Sequence, residues 1–427
     1  MHAQIAESSE LLWQSSPDSS FILTMQTMKD VNGAEDVFVA SEGQTSYSNG
    51  QLQQVPGQLL IYDGETGSAI SSLNLGQEPI SNAVCIDGKV IKSDSNGVLT
   101  CYSSALNPLW NETLAGGPQV MRVCGSSDIV LSVKNVVSEL NVDNGSIVWS
   151  WTCPGNVEDL LATPDWTACY YPGNLTLLNA NGSFMDNLAV PRPVLEFAVY
   201  TETLHQLDNT SFILFEDALS VLESSPNPTV TKFQVLGNSS AATLSEGWQI
   251  QVGGDSANEP FIVGDVEGDG FSDFMCTVNE SGTLGLFSGE TGNMIYPIDI
   301  STTGLSGSSV ISDTGSGNIE VALTPYSGGL YLCSLGETNA TVISIDPVNS
   351  YSSVVTIQNV PSENYSEIIA ETEGGKINCF SAYIQTVPEF SVATFLAIIS
   401  LVPLFGVVIK KMVARNKIRG GSSQVCS

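Results

Sequence analysis

Histidine is nearly missing from this chain of 427 residues, which contains only His2 and His205. Two histidines exclude a catalytic zinc centre built on several imidazoles. A Ser-His-Asp triad would have to rest on His205, in a run ETLHQLDNTS that reads as a surface strand or turn. Basic residues are scarce as well: 13 Lys and Arg stand against 45 Asp and Glu, a net charge of −32. Such a field repels nucleic acid and attracts cations, so a DNA or RNA partner is excluded. No GxGxxG follows a strand-like run, and no GxxxxGK leads into Ser or Thr, so nothing cradles a nucleotide phosphate. The nine cysteines form no CxxC or CxxCH, which removes zinc-ribbon, thioredoxin-like and c-type haem readings. Most of them sit in apolar runs such as FMCTV and LYLCS, the setting of a small buried hydrophobe, and no disulfide is assigned. Between residues 11 and 384 no amphipathic helix is legible.

What the chain does have is an uncharged run near its end, residues 391–409, SVATFLAIISLVPLFGVVI. Its length matches the roughly 20 apolar residues that span a bilayer. Pro403 inside it is tolerated in a membrane helix. Lys410, Lys411, Arg415, Lys417 and Arg419 follow and mark the cytoplasmic side. The expectation is a single-pass cell-membrane protein with residues 11–386 as an extracellular domain, 387–409 as the anchor and 410–427 as a basic cytoplasmic tail. The part before the apolar run, up to Phe390, keeps eight basic against 45 acidic residues, a net charge of about −37. This suits a surface layer in salty water, where ions screen self-repulsion, and equally a merely soluble acidic surface. Triplets Asn-X-Ser/Thr at Asn111, Asn144, Asn174, Asn181, Asn209, Asn238, Asn279, Asn339 and Asn364 are N-glycan acceptors in an exported protein. The polar start MHAQIAESSE carries no leader. Residues 1–10 are expected to be the remnant of an export leader, with the true start upstream.

Pro388, Glu389 and Phe390, followed by the apolar run and the basic tail, resemble archaeal C-terminal sorting signals of the PEF type. The resemblance implies a surface protein and an archaeosortase as processing partner. The tail here runs on to Ser427, past the usual end of such signals, so processing and a permanent anchor both stay open.

Short runs of Val, Ile, Leu, Phe and Tyr alternate with Gly, Asn, Asp and Ser along residues 11–386, an all-β pattern. A period of roughly 40 residues points to propeller blades. The unit is clearest at 36–76 and 273–300. Both carry GETG, at residues 64–67 and 289–292, a tight turn whose glycines admit positive φ. Weaker copies lie at 97–117, 136–151, 174–190, 213–225, 328–345 and 374–384. The expected fold is an all-β propeller of about eight blades, with seven as the alternative. The run LLWQ, residues 11–14, completes the last blade and closes the ring, and 226–247 reads as an insertion between blades. Asp63-Gly-Glu-Thr-Gly67 and Asp143-Asn-Gly-Ser-Ile-Val-Trp149 resemble the turn of pyrroloquinoline-quinone-type propeller repeats. No vicinal cysteine pair is present, so the dehydrogenase activity of quinoproteins is not implied.

The sharpest chemical motif is Asp265-Val-Glu267-Gly-Asp269-Gly-Phe271-Ser-Asp273. Carboxylates fall at positions 1, 3, 5 and 9, the Phe271 carbonyl at position 7 and a glycine at position 6, a set of oxygens suited to calcium. The spacing resembles EF-hand-like loops and the loops of integrin-type FG-GAP blades, with Glu267 where Asp or Asn is usual. The implied ion is structural. Residues 30–36 and 313–320 are eroded counterparts to which no metal is assigned.

Two functions follow. The first is a membrane-anchored, non-catalytic binding or envelope protein with a protein or glycan partner. The second is a surface glycan hydrolase or lyase using carboxylates at the propeller axis. Convergence of Asp, Glu and Tyr in the central channel would favour the second.

Overall fold

The computed structural model describes residues 5–386 except 18–21, 30–34, 42–44, 49–50, 55–56, 77–79, 191–197, 221–227, 239–240, 253–259, 279–282, 299, 301–304, 312–318, 327, 358–365 and 373–374. The sorting motif, the apolar run, the basic tail and the loop 30–36 apart from its last two residues therefore fall outside the described residues, as do 313–318. Contacts divide the chain into two compact units, 9–383 and the terminal segments 1–8 with 384–427, and the ring below is the first of these. Among the described residues no helix is long and apolar enough to cross a membrane.

Every described element is a strand. The strands form eight four-stranded antiparallel sheets and one extra two-stranded hairpin. Blades 1 to 7 occupy residues 22–76, 82–113, 120–152, 159–189, 198–251, 261–298 and 305–346. Blade 8 takes three strands from 351–386, and its outermost strand is Ile5–Ser15, from the other end of the chain. The first strand of each blade lies innermost. These strands meet their neighbours in turn, with that of blade 6 meeting the second strand of blade 7, Ile319–Pro325, and Tyr351–Ile357 of blade 8 meets Ile22–Lys29 of blade 1, which shuts the ring. The expectation of about eight blades, closed by the run at 11–14, is met.

Burial explains why the units do not stand alone. Middle strands such as Glu35–Ser41 and Trp166–Tyr171 are buried along nearly their whole length, whereas outer strands such as Ala69–Gly76 alternate between exposed and half-buried. A blade is apolar on both faces, so each face must be covered by a neighbour. Among the described residues, buried clusters bridge seven of the eight blade junctions. Summed apolar burial between blades, rather than within them, is the main source of cohesion.

A second device recurs at the junctions. Trp13, on the outer strand of blade 8, packs on Gly67 in the last turn of blade 1 and donates its indole N–H to the Gly64 carbonyl at 2.9 Å. Trp110 of blade 2 sits likewise on Gly145 of blade 3, Trp149 of blade 3 on Gly182 of blade 4, and Trp248 of blade 5 on Gly292 of blade 6. Tyr296 of blade 6 donates to the Gly336 carbonyl of blade 7 at 2.7 Å. The two glycines of GETG therefore have different jobs. A Cβ on Gly64 would run into the Glu35 carbonyl of the same blade, while one on Gly67, at φ 66°, would run into the Trp13 indole.

Blade 5 corrects the sequence reading. Most of residues 226–247 is not an insertion: Thr229–Asn238 and the start of Ala241–Gln251 are its third and fourth strands. The run 213–225 contributes to the second strand, Ser211–Ser220, rather than to a third strand and turn. The hairpin at Asn238 lacks a GETG turn, and the two strands it joins are among the longest in the ring, which hid the period.

Candidate functional site

Antiparallel alternation places the first–second and third–fourth turns of each blade at one end of the ring, here the upper end. A cavity of about 630 Å³ is lined by the innermost strands of blades 1, 7 and 8, with Gln26, Thr27, Ser309 and Thr356 among its walls and Lys29 and Glu35 at its upper rim. Three of its polar side chains are turned to neighbouring blades. Gln26 Oε1 accepts from Cys85 N at 2.9 Å, tying blade 1 to blade 2. Ser309 and Thr356 share a hydroxyl–hydroxyl bond of 3.0 Å, and Thr356 also donates to the Val310 carbonyl, tying blade 8 to blade 7.

The same tangential bonding continues around the inner wall. Arg122 of blade 3 donates to Asp159 Oδ1 of blade 4 at 2.7 Å, and Asp159 Oδ2 accepts from Leu204 N of blade 5 at 2.7 Å. Burial pushes the Asp159 carboxyl up, while the Arg122 guanidinium and the Leu204 N–H oppose that rise. Nearby His205 is half-buried rather than fully at the surface, and donates to or accepts from Thr203 Oγ1 at 3.1 Å. Burial first, then the Arg122 charge, lowers its pKa to about 4. The eight described cysteines are unpaired, seven of them buried, and burial pushes their thiols up, Cys101 to about 11 and Cys124 to about 12.

Sequence reasoning missed this inner ring of polar bonds. Its trace was there to read: Arg122 is one of only eight basic residues ahead of the C-terminal cluster, and it stands inside an apolar strand, VMRVC.

The five residues of the calcium motif all lie on the first–second turn of blade 6 and its flank. Asp265 Oδ1 accepts from Gly268 N and Asp269 N at 2.7 and 3.0 Å, and Oδ2 from Gly270 N at 2.8 Å. Gly268 and Gly270, at φ 74° and 93°, supply the curvature. Asp269 Oδ1 accepts from Phe271 N at 2.9 Å. Asp273 is fully buried; its Oδ2 accepts from Val266 N and Glu267 N, and its Oδ1 from Gly289 N. Burial drives its carboxyl up to about 6 against those three donors. Among the described residues no group of three or more His, Cys, Asp or Glu converges as an ion requires. An ionised carboxylate has about four lone-pair sites. Asp265 and Asp273 each spend three on backbone N–H, so these acids brace the turn and, among the described residues, form no assembled cage.

A cation does reach this turn from the neighbouring blade. Lys232 of blade 5 is 2% exposed, donates to the Gly289 carbonyl at 2.7 Å and lies 4.5 Å from the centroid of the Phe271 ring. Gly289 is thus held from both sides, its N–H by Asp273 and its carbonyl by Lys232.

No known family model matches this chain, and no curated protein matches it in sequence. Its fold is widely shared. The chain is similar to BamB from Moraxella catarrhalis at 11% identity, over 88% of this chain and 100% of that one, with a TM-score of 0.54. It is similar to the computationally designed Ika8 protein at 11% identity, over 88% and 100% of the two chains, with a TM-score of 0.60. At such identity the likeness is one of fold: the chain is an eight-bladed β-propeller.

Proposed function

We propose that the protein is a non-catalytic interaction scaffold, displayed outside the cell and held at its membrane by residues 387–409. The observation that carries this reading is the state of the inner wall. Asp159 is the one carboxylate among the described side chains of the innermost strands, and it is buried against Arg122 and Leu204. Paired carboxylates for glycoside cleavage stand roughly 5–10 Å apart across a substrate, and Asp159 has no such partner among those side chains. The cavity walls offer hydroxyls and an amide, with Lys29 and Glu35 at the rim, which suit a polar ligand such as a glycan or an extended polypeptide of a protein partner. Fold alone does not decide function in propellers, so the proposal rests on this wall.

The test is binding against turnover. The full chain in detergent, run over glycan and peptide arrays, is expected to retain a partner unchanged. Bond cleavage that disappears in Asp159→Asn would replace the scaffold with an enzyme. Calcium at the blade 6 turn is a second proposal, supported by the spacing of its acids and by the exposure of Asp269 and Glu267. Residues Asp265, Glu267, Asp269, Asp273 and the Phe271 carbonyl would hold the ion and brace the turn, with no part in catalysis.

A further inference from the structure

The upper end of the ring collects the acceptor triplets. Asn144 lies on the third–fourth turn of blade 3, Asn181 on that of blade 4 and Asn339 on that of blade 7. In blade 5, Asn209 lies on the first–second turn and Asn238 at the third–fourth turn. All five are exposed. Two described triplets differ. Asn174 opens the third strand of blade 4 at the opposite end of the ring and is half-buried, with its amide engaged by the Pro172 carbonyl and the Asn187 side chain, each at 3.4 Å. Asn111 lies inside the outer strand of blade 2, paired with Thr100, where the backbone is fixed in a ladder. Asn279 and Asn364 fall outside the described residues.

At Asn144 the side-chain oxygen accepts from the N–H of Ser146, the hydroxyl residue of its own triplet, at 2.8 Å. That bond uses Oδ1 and leaves Nδ2 unspent in it. Turns at the end of a two-strand hairpin also bend more readily into an enzyme's active site than a residue fixed in a ladder, as Asn111 is although exposed on the outer strand and as Asn174 is between two strands.

We propose that Asn144, Asn181, Asn209, Asn238 and Asn339 are N-glycosylated and that Asn111 and Asn174 are not, so that glycans decorate one end of the ring. The inference rests on the reading of the domain as exported. The donor is a lipid-linked oligosaccharide phosphate. A bond forms between Nδ2 and the anomeric carbon, the bond from that carbon to the phosphate oxygen breaks, the lipid phosphate leaves and the Nδ2 proton passes to a base. No oxidant or reductant is involved. Four of the five sites lie on blades 3 to 5, across the ring from blades 7, 8 and 1 that line the cavity, and Asn339 is on an outer turn. The glycans would therefore flank the cavity mouth without filling it, leaving polar ligands a way in.

The experiment expresses the full chain in a host whose export pathway N-glycosylates. Protease on intact cells reports export, and glycopeptide mass spectrometry reports occupancy. Glycans on the turn asparagines, with Asn111 and Asn174 bare, are expected. The variant with all five turn asparagines changed to Gln should lose the added mass, and single Gln variants cover the case in which the five-fold variant does not fold. An exported domain that stays unmodified, or one modified at Asn111 and Asn174 as fully as at the turns, overturns the proposal while leaving export standing. A domain that protease never reaches overturns both.

Discussion

At the scale of single residues, one buried and one half-buried titratable group should pull stability in opposite directions with pH. Asp273 has its carboxyl raised to about 6 in the folded chain, above the ordinary value near 4. The folded state then binds the extra proton, so this contribution is full below about 4 and is lost as pH rises through about 6. His205 is lowered to about 4 from its ordinary value near 6.5. Its contribution is full above about 6.5 and is lost as pH falls through about 4. Melting temperatures of the wild type and of Asp273→Asn and His205→Gln between pH 4 and 7 check both signs. The aspartate variant should flatten a fall in Tm toward neutral pH, and the histidine variant a fall toward acid. A histidine variant that leaves the acid side unchanged would show that the imidazole is not held neutral. The calcium turn is tested the same way. Asp269→Ala should lower Tm in calcium but not in chelator, because a ligand of the native state stabilises by mass action. Equal loss in both conditions would leave a turn braced by its own backbone donors and by Lys232. The motif 265–273 was legible because its acids are consecutive in sequence. Lys232, which arrives from the neighbouring blade, was not.

At the scale of elements, the aromatic residue on one blade and the glycine on the next form a joint that can be broken from either side. Trp149→Ala empties a site that is 9% exposed and should cost about 3–5 kcal/mol. Gly67→Ala meets both a positive φ and the Trp13 indole, whereas Gly76→Ala, at φ 65° with open space around it, meets only the backbone cost of about 1–2 kcal/mol. Chemical denaturation should rank Gly67→Ala well above Gly76→Ala. Equal losses would mean that the indole yields and that the joint carries little. The GETG turns were readable because their glycines repeat in sequence. Blade 5 was not, because its third–fourth hairpin departs from that turn, and only its pairing with Ser211–Ser220 shows it to be a full blade.

At the scale of the whole molecule, the ring is closed by strands from opposite ends of the chain. Removing residues 1–15 deletes the outer strand of blade 8 and the Trp13 joint together, opening the core shared by blades 8 and 1. Because each blade lacks cover without its neighbours, loss should spread: a single cooperative transition at a lowered midpoint is expected, followed by circular dichroism and tryptophan fluorescence together. A deletion that melts blade 8 alone would show that the blades are independent. The membrane reading predicts a different observation at this scale. Protease outside intact cells should digest the large domain and spare the segment 410–427, and digestion of that tail would reverse the topology.

The sequence by itself determined the period, the strand content, the approximate blade number and the closing run, because the alternation of apolar strands with glycine-rich turns is a local property of the chain. It also determined what chemistry is missing, since two histidines and no paired cysteine motif remain so in any fold. Only the tertiary structure decided how the polar residues are spent. Gln26, Arg122, Asp159 and Lys232 lie far apart in sequence, and each is satisfied by a partner on another blade, which no local pattern encodes. Ring closure decides those partners, because it brings the first strand of each blade beside that of the next and makes burial of any polar side chain there depend on its neighbour.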